Sequence, residues 1–163
     1  MITYDEYESL IVERLTMDGV DVSPLPLQEV LNEPKVAHKP RIYVIFTGST
    51  FEDTSRLGEF TQNEPLTFEI YIQARTRAGA GGIFEVAEEA IQRLLKWRPP
   101  GANRKISFKS FGYLAGVQNN WQYTLQFGFP RTRIAREEKE DIVLIKKITF
   151  QNASNNDDKI SIE

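Results

Sequence analysis

Five groupings of residues in this chain have the types that chemistry needs, and each also has a plainer reading. Gly79-Ala80-Gly81-Gly82 stands between an alternating apolar segment and a helical one, where backbone N–H groups cradle phosphate in nucleotide-binding folds. It does not complete G-x-G-x-x-G, and no Lys-Ser or Lys-Thr pair follows as in a P-loop. A connection whose glycines relieve a tight turn accounts for it better. His38 is the only histidine, and Lys39 beside it disfavours a bound cation. A metal site would have to be all carboxylate, and no D-x-D-x-D-G loop or similar cluster is present. Ser49 lies in Thr47-Gly48-Ser49-Thr50, which lacks the G-x-S-x-G elbow of a nucleophilic serine. Glu88 and Glu89 are consecutive on a helix and point in different directions, a poor acid–base pair. With no cysteine there is no thiolate nucleophile, zinc thiolate site or disulfide. The expectation is a protein without a catalytic site, metal or cofactor.

The fifth grouping is basic. Arg75 and Arg77, and again Arg131 and Arg133, have i, i+2 spacing at the end of a predicted strand, so each pair can share one face. They fit either nucleic-acid phosphates or the carboxylates of a partner protein. A pI near 5.4 favours protein contacts, because nucleic-acid binders are usually basic. The net charge of −3 hides an uneven distribution. Residues 1–40 carry three Lys or Arg against eight acids, residues 41–136 thirteen against eight, and residues 137–163 four against seven. These charges either solvate a surface or steer head-to-tail contact between copies.

The elements that must position these residues can be read from periodicity. With 163 residues, 40% of them hydrophobic, the chain suits one self-sufficient core. The acidic start MITYDEYESL is not a typical secretory signal, and no run of about 18 apolar residues exists to span a membrane. A soluble intracellular protein is expected. Thr3 and Glu6 have capping-box spacing for a helix carrying Tyr7, Leu10, Ile11 and Leu15, ended by Asp18-Gly19. Residues 20–39 read as loop, with a short apolar element around Leu25 to Leu31. PRIYVIFTGS predicts a strand covered on both faces, residues 50–64 an exposed loop, and LTFEIYIQAR a strand with Leu66, Phe68, Ile70 and Ile72 inward. A helix follows with Ile83, Ala87, Ile91, Leu94 and Leu95 as its apolar face, stopped at Pro99-Pro100. Ile106 to Leu114 and Gly116 to Phe129 predict an antiparallel pair, and residues 131–141 a charged linker. Ile142 to Phe150 has strand propensity, and the last residues form a polar tail. The order predicts an α+β domain over residues 1–136, with four or five mostly antiparallel strands packed on one long helix. Residues 137–163 form an extension whose strand closes an edge or reaches a neighbouring subunit.

The series PRIYVIFTGS, LTFEIYIQARTR, a glycine before a helix ending KWRPP, and WQYTLQFGF resembles the Mu-like phage tail terminator family, over about residues 4–133. The resemblance implies a small α+β protein of the virion with no chemical active site. It implies a hexameric ring that caps the tail tube, ends polymerisation, and offers its other face to a neck or head-completion protein. A tail sheath protein is a further partner if the tail is contractile, and DNA only passes through the lumen. A head–tail connector of the same particle, a small-ligand-binding domain, and an adaptor without symmetry are the alternatives. The candidate interface residues are Arg75, Arg77, Arg131 and Arg133, with Ile142, Leu144, Ile148 and Phe150 on a strand that pairs with a neighbour. If rings and tail lengths stay normal after truncation at Arg136, that arm has no such role.

Overall fold

The computed structural model describes residues 1–25, 38–52, 61–117 and 119–134, and the backbone of 148–151 and 159–162. Thr3 and Glu6 start the first helix, α1 (Tyr4–Leu15), by satisfying each other's backbone. The Thr3 N–H donates to Glu6 Oε2 at 2.6 Å, and the Glu6 N–H donates to Thr3 Oγ1 at 3.4 Å. Tyr7, Ile11 and Leu15 recur every four residues and are the ones that α1 buries.

Five strands form the main sheet: β1 (Asp21–Pro24), β2 (Arg41–Ser49), β3 (Thr61–Ala74), β4 (Ser107–Val117) and β5 (Asn120–Ile134). Their spatial order is β1-β2-β3-β5-β4, with β1 parallel to β2 and all other pairs antiparallel. β3 and β5 run side by side from Thr61 opposite Ile134 to Ala74 opposite Trp121. Leu66, Phe68, Ile70 and Ile72 of β3 and Tyr123, Leu125, Phe127 and Phe129 of β5 alternate onto one face and are buried there. The second helix, α2 (Ile83–Leu95), packs on β3 and β5, and α1 packs on β1 and β2. Both helices cover the same face, around a cluster in which Phe68 meets Tyr7, Phe46, Phe127 and Phe129. Gly128 is dictated by close approach, since a Cβ there would meet the Leu66 carbonyl oxygen at 2.2 Å.

The α+β class and the five-strand count agree with the sequence reading; several details do not. The sheet packs on the N-terminal helix as well as on the long helix expected to cover it. Residues 21–24, read as loop, form β1, an edge strand too short to show periodicity. β2 is fully covered on one face only: Ile42 and Val44 are buried, while Tyr43 and Ile45 on the other are half-buried. β3 begins at Thr61, inside the segment read as loop. The buried stripe of α2 is Ile83, Val86, Ala87, Ala90 and Leu94, with Leu95 45% exposed. The β4–β5 turn lies near Asn119, whose φ is +62°, rather than at Ala115. β5 continues through Arg131 and Arg133 to Ile134, where a linker was expected.

In the C-terminal extension, β6 (Ile148–Gln151) pairs antiparallel with β7 (Lys159–Ile162), a two-stranded sheet of its own. Of the strand expected over 142–150, residues 148–150 thus have a partner within the tail, and 142–147 lie outside the described residues. Among the described residues no helix is long and apolar enough to cross a membrane.

Candidate functional site

The structure separates the two arginine pairs. Arg131 and Arg133 lie on β5 opposite the first turns of β3, with Arg131 registered against Glu64. Arg75 and Arg77 lie just past the other end of β3. Eleven residues of extended strand separate Glu64 from Arg75, roughly 35 Å. No single basic site forms from all four.

Arg131 and Arg133 share a face, as their spacing requires, and both bind one carboxylate inside the chain. Arg131 Nε donates to Glu64 Oε2 at 2.7 Å, and Arg133 Nε donates to the same oxygen at 2.6 Å. The Tyr4 hydroxyl donates to Glu64 Oε1 at 2.5 Å and accepts from Arg133 Nη2 at 2.7 Å. Arg131 Nη1 donates to the Ile2 carbonyl at 2.7 Å, and its guanidinium lies over the rings of Tyr4 and Tyr7. Glu64 is fully buried and Arg131 almost so. Burial alone raises the carboxyl's pKa, but the hydrogen bonds from Arg131, Arg133 and Tyr4 outweigh it and hold Glu64 at about 2. Arg131 thus ties the N-terminal segment to the sheet and is not available to a partner. Arg133, with 37% of its side chain exposed, carries the cluster's surplus positive charge outward. Glu64 was missed because it sits in a stretch read as loop; its one signal is even spacing with Leu66, Phe68 and Ile70.

Arg75 and Arg77 are exposed. Arg75 Nη2 lies 3.0 Å from His38 Nδ1, which occupies the histidine with a cationic neighbour. Arg77 lies over the rings of Phe84 and Trp121, at 5.5 and 5.2 Å from their centroids. That guanidinium belongs to an aromatic patch the sequence reading missed. Phe111 stacks on Tyr123 at 5.4 Å, Tyr113 meets Tyr123 and Trp121, and Phe84 meets Tyr123 at 5.7 Å. Phe84, Phe111, Tyr113 and Leu114 remain 39–59% exposed. Bulges in β4 after Phe108 and after Tyr113 break the alternation that would have shown a face. Ile142 and Leu144 lie outside the described residues. Ile148 and Phe150 stand opposite Ile162 and Ile160 in the β6–β7 pair.

The other groupings are also taken up locally. β3, before the glycine stretch, is antiparallel to both neighbours, so no parallel β-α-β unit surrounds the stretch. The Gly81 N–H that a phosphate would need donates instead to Glu85 Oε2 at 2.7 Å. Ser49 ends β2 in register with Leu66 of β3. Glu89 pairs with Arg93 at 2.7 Å. A groove of about 600 Å³ between the end of α1 and α2 is lined by Asp18, Glu85, Glu88 and Glu89 with Met17, Val20 and Val86. Among the described residues no three His, Cys, Asp or Glu side chains converge as a metal site would require.

No curated protein matches the chain significantly. Residues 11–152, from the middle of α1 past the end of β6, match the profile of the Gp37 protein family. This match supports a phage-related, virion-associated structural protein. Because it covers most of the chain, the chain belongs to the Gp37 protein family.

Proposed function

We propose that this protein is a tail terminator: six copies form a ring that caps the tail tube, ends its polymerisation, and joins it to the neck. In a contractile tail the same ring would end the sheath. Membership of a phage-related family supplies the setting, and one observation carries the reading. Among the described residues both helices pack on one face of the sheet, and no helix packs on the opposite face. On that face β3 and β5 present Thr67, Gln73, Gln122, Thr124 and Gln126 with little charge. Lys109 reaches onto it and donates to Thr67 Oγ1 at 2.7 Å, opposite in sign to Glu69 on the same face. Such a neutral, hydroxyl- and amide-rich surface suits the wall of a channel for DNA. It wets the channel without the phosphate contacts that hold a polyanion in place. The helices then form the outer side of the ring.

Electron microscopy of tails assembled with and without the protein tests this. Tubes of uncontrolled length that lack a terminal ring, restored by adding the protein, support the reading. Tails of normal length that fail only to join heads assign the chain to the neck instead. Normal, fully joined particles sink both roles.

A further inference from the structure

We infer that the free edge of β4, with the aromatic patch beside it, is the surface that receives the next copy of this chain, and that the incoming copy docks by its α1–β1 flank. The inference rests on the ring reading, in which head-to-tail closure brings these two unlike edges together.

Strand direction and level support this pairing. Among the described residues β4 and β1 are the two ends of the sheet, and neither carries a second neighbour. Following the pairs across the sheet, β1 and β4 run in opposite directions. Two copies related by rotation about an axis along the strands would therefore meet as an antiparallel pair. Registration across the sheet puts Arg41 level with Gln73, Gln122 and Ala115, and Val44 level with Ile70, Leu125 and Phe111. β1 pairs with Arg41 to Val44, so it stands at the height of Phe111 to Ala115. Those are the β4 residues that leave Phe111, Tyr113 and Leu114 exposed. The incoming α1 packs on the same face of its sheet as the patch occupies on this one, so it would cover these rings.

Charge selects a second copy as the occupant. From residue 90 to residue 136 the sequence has nine Lys or Arg and no acid. Residues 1–21 have six acids and one arginine. Lys105 and Lys109 are exposed on the β4 side, and Asp5, Asp18 and Asp21 are exposed on the α1–β1 side. Lys109 lies near the level of Phe46, where Glu8 of α1 accepts the free Phe46 N–H at 2.6 Å. Beyond the four residues of β1, α1 thus lies along the sheet edge, and its acidic flank is complementary to the basic region around β4.

The absence of native cysteine makes the test direct. Ser23 and Gly112 lie at the same level on the face opposite α1 and α2, and a Cβ at Gly112 meets nothing within 4 Å. Full-length S23C/G112C is mixed with tail tubes, treated with a short bis-maleimide, run on a denaturing gel, and imaged. The expected result is a ladder of cross-linked copies from the double variant and monomer from either single variant. Rings without a ladder overturn this surface and leave the ring standing. A ladder without rings on the tubes upholds the surface and overturns the terminator role. Neither ladder nor rings overturns both, and G112C dimers formed by the single variant overturn the head-to-tail pairing. Adding Y113D, a change at a 59% exposed ring, is expected to leave Tm unchanged and cut the ladder at least about tenfold. An undiminished ladder removes the patch from the interface.

Discussion

Replacing Glu64 with glutamine removes one buried charge and leaves two arginines aimed at a neutral amide. Glu64 has no exposed side-chain surface and Arg131 only 4%, so solvent does little to screen the pair. A carboxyl held at about 2 in the folded chain, against 4.5 for the free group, contributes about 3 kcal/mol at pH 7. Because the folded pKa is depressed, that contribution is complete above about pH 5.5 and is lost as pH falls through 4.5 toward 2. Less than half remains at pH 3. E64Q also strands the buried Arg131 guanidinium, so the expected loss at pH 7 is about 3–5 kcal/mol. For a chain of this length that lowers Tm by roughly 6–15 °C. Urea unfolding of both proteins at pH 7 and pH 3 measures it, and the gap between them should narrow by about 2 kcal/mol at the lower pH. A loss under about 1 kcal/mol at pH 7 would show that the network does not hold the N-terminus to the sheet. A gap unchanged at pH 3 would show that the damage is steric rather than electrostatic.

Four further outcomes follow from packing. Thr3→Ala deletes half of the capping box and is expected to cost about 1 kcal/mol, read as a lower urea midpoint with an unchanged slope. Phe68→Ala empties the space between Tyr7, Phe46, Phe127 and Phe129 and should cost about 3–5 kcal/mol; a cost under about 2 would mean the core closes around the gap. Gly128→Ala drives a Cβ into the Leu66 carbonyl oxygen, so a loss of about 2–3 kcal/mol or more is expected by thermal melting, and a neutral result would mean β3 and β5 can separate there. A chain ended after Arg136 should melt within about 2 °C of the full chain, since β6 and β7 lie outside the main sheet; a larger drop would show that the tail supports it.

What was legible in the sequence was whatever a local period decides. Thr3 with Glu6, the alternation from Leu66 to Ile72, and the run from Tyr123 to Phe129 each encode an element within about a dozen residues. What was not legible depends on partners distant in the chain. Arg131 and Arg133 look like a linker because charge is rare inside a strand, and only the ladder to Glu64, 67 and 69 residues away, makes them strand residues. β1 has four residues and ends in proline, so its pairing with β2 leaves no periodic trace. Arg75 and Arg77 share spacing with the other pair, yet periodicity carries no information about which end of the sheet a residue reaches.

The failures in β4 are of another kind, and they bear on function. A strand that merely closes a monomer's sheet is expected to be short or charged, because an exposed apolar edge invites pairing. β4 has 11 residues, and one charge among them, Lys109. It keeps Phe111, Tyr113 and Leu114 in solvent, while α2 stops short of covering them. Two bulges bend the strand without hiding those rings. Read for a monomer, that is a liability that a single lysine does little to blunt. Read for a ring, it is half of an interface whose other half is the acidic flank at the opposite end of the same sheet. Positions where local rules fail without a compensating gain inside the chain are where a gain outside it should be sought.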